Sequence, residues 1–195
     1  MPPLLVVFAY FLGSVSFSIL VVRFFFRKDI REEGSGNAGA TNVLRNHGAK
    51  AGAAVAVLDV AKGAAAVGAM RWATADPAWL SAAAFAVVLG HVFPAFFRFR
   101  GGKGVATTVG AFLVLAPAAT AVVIGLFALV VAATRYVSLG SILAATALPP
   151  VALYLFHSPD PVALAAGATA LLILFKHREN LRRLASGTER RLGGK

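Results

Sequence analysis

The stretch VATTVGAFLVLAPAATAVVIGLFALVVAAT, Val105–Thr134, decides the fold. It carries no charged residue, and Pro117 stands near its middle. A helix rising ~1.5 Å per residue needs about 20 residues to cross a hydrocarbon core of ~30 Å. The stretch is long for one crossing and short for two, and proline allows either, because it ends or kinks a helix. Basic residues collect on the cytoplasmic side of a membrane, so parity separates the two readings. With one crossing, Arg135 and the basic tail from Lys176 to Lys195 would fall outside. With two, every basic cluster lies on one side. Two short crossings, paired with local thinning of the bilayer, are therefore expected.

Five other apolar runs extend this reading: Pro2–Val22, Ala51–Met70, Pro77–Phe97, Ile142–Phe156 and Val162–Phe175. The expectation is an all-α integral membrane protein, a seven-helix transmembrane bundle with its N-terminus outside and its C-terminus cytoplasmic. Residues 1–195 are read as a single integral-membrane domain. Composition agrees, with 58% hydrophobic and 14% charged residues and a mean hydropathy of +0.77. Soluble chains run near ~45–50% and ~25%. No basic segment precedes Pro2–Val22, which argues against a secretory signal. Trp72 and Trp79 flank the outer interface as an aromatic belt would. The net charge of +11 borders the apolar runs, with only Lys62 and Arg71 of 19 basic residues lying elsewhere. That placement suits anionic membrane lipids and excludes nucleic acid as a partner. The absence of cysteine excludes disulfides, thiolate catalysis and Cys-ligated metals.

In this topology the segments 34–45, 98–104, 138–141 and 176–180 share the cytoplasmic face. Gly34-Ser35-Gly36-Asn37-Ala38-Gly39-Ala40-Thr41-Asn42-Val43-Leu44-Arg45 is rich in small residues, whose backbone N–H groups can curl around an anion. Arg45 adds a planar fork for phosphate oxygens. Phe99-Arg100-Gly101-Gly102-Lys103-Gly104 runs into a helix, and backbone donors at a helix N-terminus beside a lysine form a second anion site. Ser138-Leu139-Gly140-Ser141 reads as a small polar turn. Lys176–Leu184 reads as a polar helical tail. Asp59 and Lys62, three apart in the second span, share a helical face and read as a buried ion pair. His91, near the inner end of the third span, reads as a helix–helix hydrogen-bonder.

Several familiar sites are excluded. Gly34–Gly39 matches G-x-G-x-x-G, but follows a basic membrane-edge segment rather than a strand, so a dinucleotide site fails. Gly102-Lys103 lacks the Ser or Thr of a phosphate-binding P-loop. The H-x-x-x-x-D pattern of thioester-dependent glycerolipid acyltransferases is missing, because Gly52, Phe96 and Arg182 stand five positions after His47, His91 and His177. Asp29, Glu32, Glu33, Glu179 and Glu189 are scattered, so neither a metal nor another cofactor is expected.

Taken together, the segments resemble one family. Ser35–Asn42 is similar to its first signature. Gly90-His91-Val92-Phe93-Pro94 with Phe99 and Gly101–Thr107 is similar to its second. Ser138–Ser141, and His177–Asn180 with Arg183-Leu184, complete the set in order along almost the whole chain. The family is the bacterial acyl-phosphate:glycerol-3-phosphate acyltransferases, and Ala38, where related chains often carry proline, is the one loose position. The resemblance implies an enzyme of the bacterial cytoplasmic (inner) membrane with its active site on the cytoplasmic face. It would move an acyl group from acyl phosphate to the 1-hydroxyl of glycerol 3-phosphate, giving lysophosphatidic acid and phosphate. By matching position, Ser35, Arg45, Lys103, His177 and Asn180 serve glycerol 3-phosphate and the reacting hydroxyl, with Ser35, Lys103 and His177 taken as catalytic. Asn37, Thr41, Asn42, Gly101, Gly102 and Ser141 cradle the acyl phosphate, and His91 joins the substrate-binding set. The general base is either the departing phosphate or His177. Glu179 pairs with a basic neighbour or orients His177. An upstream enzyme that forms acyl phosphate is an implied partner. An anion transporter would favour internal repeats and midplane polar residues, and a headgroup scaffold would not need four Gly/Ser/Asn segments.

Overall fold

The structure, a computed structural model, describes residues 1–193 and contains no strand among them. The chain divides into two compact units, 1–115 and 116–195.

In the first unit the apolar run expected as one helix is two, α1 (Pro2–Gly13) and α2 (Phe17–Phe26). Ser16 is extended at the break, and the Lys62 ammonium donates to the Val15 carbonyl at 2.7 Å. A carbonyl freed inside an apolar layer has no water to turn to, so a protein donor must reach it. A 3-10 turn (Ile30–Glu32) leads to α3 (Ala40–His47), α4 (Ala49–Ala73) and α5 (Pro77–Val92). Pro77 at the first turn and the Asp76 carboxylate, accepting from the Ala78 amide at 2.8 Å, start α5. A second 3-10 turn (Ala95–Phe97) precedes α6 (Val105–Leu115).

Glycines set the helix spacing here. A Cβ on Gly13 of α1 would strike the Val87 carbonyl of α5, and one on Gly90 of α5 would strike the Tyr10 carbonyl of α1. The same exchange joins Gly63 of α4 to the Thr107 carbonyl of α6, and Gly110 of α6 to the Val60 carbonyl of α4. Apolar burial cannot drive helices together in lipid, and close backbone approach of this kind contributes packing in its place.

In the second unit α7 (Pro117–Thr134) starts at the expected proline, after Ala116 has left helical geometry. α8 (Val137–Pro150) begins three residues after α7 ends. Ser138–Ser141 therefore form its first turn rather than a separate turn. Gly140 is there because Val131 and Phe127 of α7 press against it. Pro149 and Pro150 withdraw amide donors from the end of α8, and a π-turn (Val151–Leu155) follows. α9 (Asp160–Lys176) bends by 59° at His177 into α10 (Arg178–Ala185).

Among the described residues, five stretches are long and apolar enough to cross a membrane: 2–26, 49–73, 77–97, 117–134 and 137–155. α9 with α10 makes a sixth if the bent pair is one span. The 11-residue α6 measures only ~16 Å.

Candidate active site

Asn42 organises the first Gly-rich segment. Its side-chain amide donates to the carbonyls of Glu33 (2.9 Å), Asn37 (3.1 Å) and Ile30 (3.2 Å). Its Oδ1 accepts from the Ser35 amide at 3.1 Å and from Asn46 Nδ2 at 3.0 Å. Asn42 is only 4% exposed, so it shapes the loop from within. Gly34 sits at φ +58°, and a side chain there would meet Asn42 and Asn46. Ser18 of α2 anchors the same loop by donating to the Ala38 carbonyl at 2.8 Å. The outcome is an exposed Ser35 and a half-buried Asn37, ahead of an α3 whose Gly39 cap has no side chain. The uncapped first turn of a helix presents backbone donors and partial positive charge. Thr41 and Arg45, four apart on α3, share a face.

The second Gly-rich segment packs on the first through His91. The Gly102 amide donates to the His91 carbonyl at 3.2 Å. A Cβ on Gly102 would strike the His91 imidazole and stand 2.8 Å from the Ala38 carbonyl. Only a residue without a side chain lets the two loops touch. Lys103 follows, half-buried, and Gly104 at φ +88° turns the chain into α6. The two segments thus meet just ahead of two helix N-termini, those of α3 and α6.

Behind His91 lies the expected ion pair, whose purpose the sequence did not reveal. Asp59 Oδ1 stands 2.8 Å from Lys62 Nζ and 3.5 Å from His91 Nδ1. Asp59 and Lys62 are 2% and 3% exposed. Tyr10 holds the other side, donating to the Phe93 carbonyl at 2.9 Å. Arg31 also spans the two loop regions. It grips Asp29 with two guanidinium nitrogens (2.9 and 2.7 Å) and donates to the Phe97 carbonyl at 3.2 Å. The Arg31 hydrogen bonds, aided by Arg23 and opposed by burial, hold the Asp29 carboxyl well below the usual carboxylate range. An open basin of about 590 Å³ lined by Arg23, Arg27, Lys28, Asp29, Glu32 and Glu33 contains none of the candidate residues.

The second unit carries the remaining candidates. Ser141 is buried and donates to the Val137 carbonyl at 2.8 Å. His177 is buried at the α9–α10 bend, with Nδ1 2.8 Å from the Ile173 carbonyl. A carbonyl only accepts, so Nδ1 carries the proton and the neutral ring has its lone pair at Nε2. Asn180 Nδ2 donates to Glu189 Oε1 at 2.7 Å. Glu179 pairs with Arg182 at 2.8 Å. In the sequence Glu189 is one of the scattered carboxylates, marked only as the lone acid among the last basic residues. Burial works to raise its carboxyl, but hydrogen bonds from Arg183, Asn180 and Ser138, with the Arg183 charge, hold it below the ordinary range.

The profile of the family described as Glycerol-3-phosphate acyltransferase matches residues 3–187. A protein of that name from Shouchella clausii is 46% identical, over 97% of this chain and 95% of its own. One from Maridesulfovibrio salexigens is 48% identical, over 94% and 93%. The crystal structure of PlsY (YgiH), an integral membrane glycerol 3-phosphate acyltransferase in its glycerol 3-phosphate form, is 38% identical with a TM-score of 0.93, covering 98% and 96% of the two chains. Its lysophosphatidic acid form is 37% identical with a TM-score of 0.89, covering 98% and 95%. Signatures, fold and relatives agree, and this integral membrane chain belongs to the glycerol-3-phosphate acyltransferase family.

Proposed function

We propose that the protein transfers an acyl group from acyl phosphate to the 1-hydroxyl of glycerol 3-phosphate. The observation that carries this reading is the meeting of two Gly-rich segments ahead of the N-termini of α3 and α6, flanked by Arg45 and Lys103. Both substrates are phosphate esters or anhydrides, and such an arrangement favours phosphate oxygens. The acceptor oxygen attacks the acyl carbon, the bond from that carbon to the phosphate oxygen breaks, and phosphate departs with the hydroxyl proton. An acyl phosphate is a mixed anhydride with a good leaving group, so positioning and charge stabilisation suffice. His177, with its lone pair on Nε2, is the protein alternative for accepting the proton.

Ser35, Arg45 and Lys103 are assigned to glycerol 3-phosphate, as are His177 and Asn180. Asn37, Thr41, Gly101, Gly102 and Ser141 are assigned to the acyl phosphate, and Lys103 also to the oxyanion of the tetrahedral intermediate. Asn42 and His91 support the cradle by shaping its two loops. The relatives supply the acceptor in their names; the acyl-phosphate donor rests on the missing H-x-x-x-x-D pair and nucleotide site. An upstream enzyme must then make acyl phosphate. Seven crossings, with the N-terminus outside and the loops facing the cytoplasm, complete the reading; the basic clusters support it.

Purified protein in lipid should convert palmitoyl phosphate and glycerol 3-phosphate to lysophosphatidic acid and phosphate in equal amounts, without added metal. Palmitoyl-CoA should give no product, and excess inorganic phosphate should inhibit. Comparable rates with palmitoyl-CoA, or total loss in chelator, would overturn the donor assignment.

A further inference from the structure

The chain's last described turn returns to the α7–α8 junction. The Leu192 amide donates to the Arg135 carbonyl at 2.7 Å, and Arg135 Nε donates back to the Leu192 carbonyl at 2.9 Å. Arg191 adds a hydrogen bond to the Tyr136 hydroxyl at 3.2 Å, its guanidinium lying 5.2 Å from the ring centroid. Just before this clasp, the amides of Thr188 and Glu189 donate to the Arg183 carbonyl at 2.8 and 3.1 Å. The return therefore delivers one carboxylate, 7% exposed, to a fixed place. Glu189 Oε1 accepts from Ser138 at 2.8 Å and from Asn180 Nδ2 at 2.7 Å, and Oε2 accepts from Arg183 Nε at 2.7 Å.

An ionised carboxylate can only accept, so Asn180 must turn its NH2 end to the tail. Fixing that end fixes the amide oxygen on the opposite side of the side chain. A surface tether for the tail would not need a buried acid between two signature segments. We propose that Glu189 is a positioning residue for glycerol 3-phosphate, setting the rotamer and flip of Asn180, so that the C-terminal return is part of the acceptor site. This rests on the assignment of Asn180 to the acceptor.

The test is steady-state kinetics of purified variants in lipid with palmitoyl phosphate and glycerol 3-phosphate. Glu189→Ala should raise KM for glycerol 3-phosphate about tenfold or more, as loss of a charge-assisted contact does. KM for palmitoyl phosphate should stay within about twofold. Glu189→Gln retains an acceptor oxygen and should recover most of the loss. Glu189→Ala added to Asn180→Ala should cost almost nothing further, because the two act as one unit. Should Glu189→Ala fail to fold, Ser138→Ala removes one hydroxyl from the carboxylate and should raise the same KM by about threefold. Unchanged acceptor KM in these variants, equal rises for both substrates, or independent effects in the double variant would overturn the proposal. If Asn180→Ala itself leaves the acceptor KM unchanged, the Asn180 assignment falls and takes the proposal with it. If Asn180→Ala raises it and Glu189→Ala does not, only the proposal falls.

Discussion

The ammonium of Lys62 on α4 is bonded to the carbonyl of Val15, 47 residues earlier, where α1 breaks from α2. One cation therefore satisfies a broken helix, neutralises Asp59 and, through His91, backs the Gly101-Gly102 loop.

Replacing Lys62 by Met should leave a buried carboxylate and a buried carbonyl without their donor. Breaking one side of a buried pair costs on the order of 3–5 kcal/mol. Lys62→Met should sharply lower the thermal midpoint in detergent. Lys62→Met with Asp59→Leu should be the more stable of the two, since no charge is stranded. A double variant less stable than the single would show that the pair is not coupled as its geometry states.

Gly102→Ala tests the contact between the loops. Its methyl group would meet the His91 ring and the Ala38 carbonyl, so the loops must part. Small displacements of positioned groups reduce turnover by roughly a hundredfold. The protein should remain folded and monodisperse while kcat/KM falls to that extent; wild-type kinetics would place the loop contact outside the site.

Lys103→Ala discriminates an anion ligand from a solvated loop lysine. Losing a charged contact to a phosphate or oxyanion costs on the order of 2–4 kcal/mol, or roughly 10²–10³ in rate. Turnover should fall by that factor in a protein that purifies normally. Near-normal activity would remove Lys103 from the site.

Topology can be read directly because the chain has no cysteine. Single cysteines at Thr74 or Ser158 should react with an impermeant reagent on intact cells. Those at Ala38 or Gly187 should react only after permeabilisation. Labelling of Gly187→Cys from outside would refute seven crossings.

Helix positions were legible wherever apolar runs met charge or proline, and the division at Pro117 follows from the parity of the basic clusters, since proline alone allowed one helix or two. The break at Ser14–Ser16 was not legible, because small hydroxyl residues in an apolar run resemble close-packing positions. Its signature was Lys62, far away in sequence. Ser138–Ser141 look like a turn by composition, yet Gly140 is small to admit α7 side chains. Within the site, the Gly-rich segments were visible as anion loops. That Asn42 faces inward, and that Glu189 holds Asn180, depends on chain returns that no local spacing encodes.

The glycine exchanges between α1 and α5 and between α4 and α6 have a consequence for comparative sequence methods. At Gly13, Gly63, Gly90 and Gly110 an added Cβ would collide with a main-chain carbonyl rather than with a side chain. A backbone atom cannot be trimmed by mutation, so no substitution on the facing helix can open space for one at these sites. Correlated substitutions, from which contacts are inferred across alignments, therefore cannot arise there. These backbone contacts between helices of the first unit should be invisible to covariation, while looser side-chain contacts around them are detected.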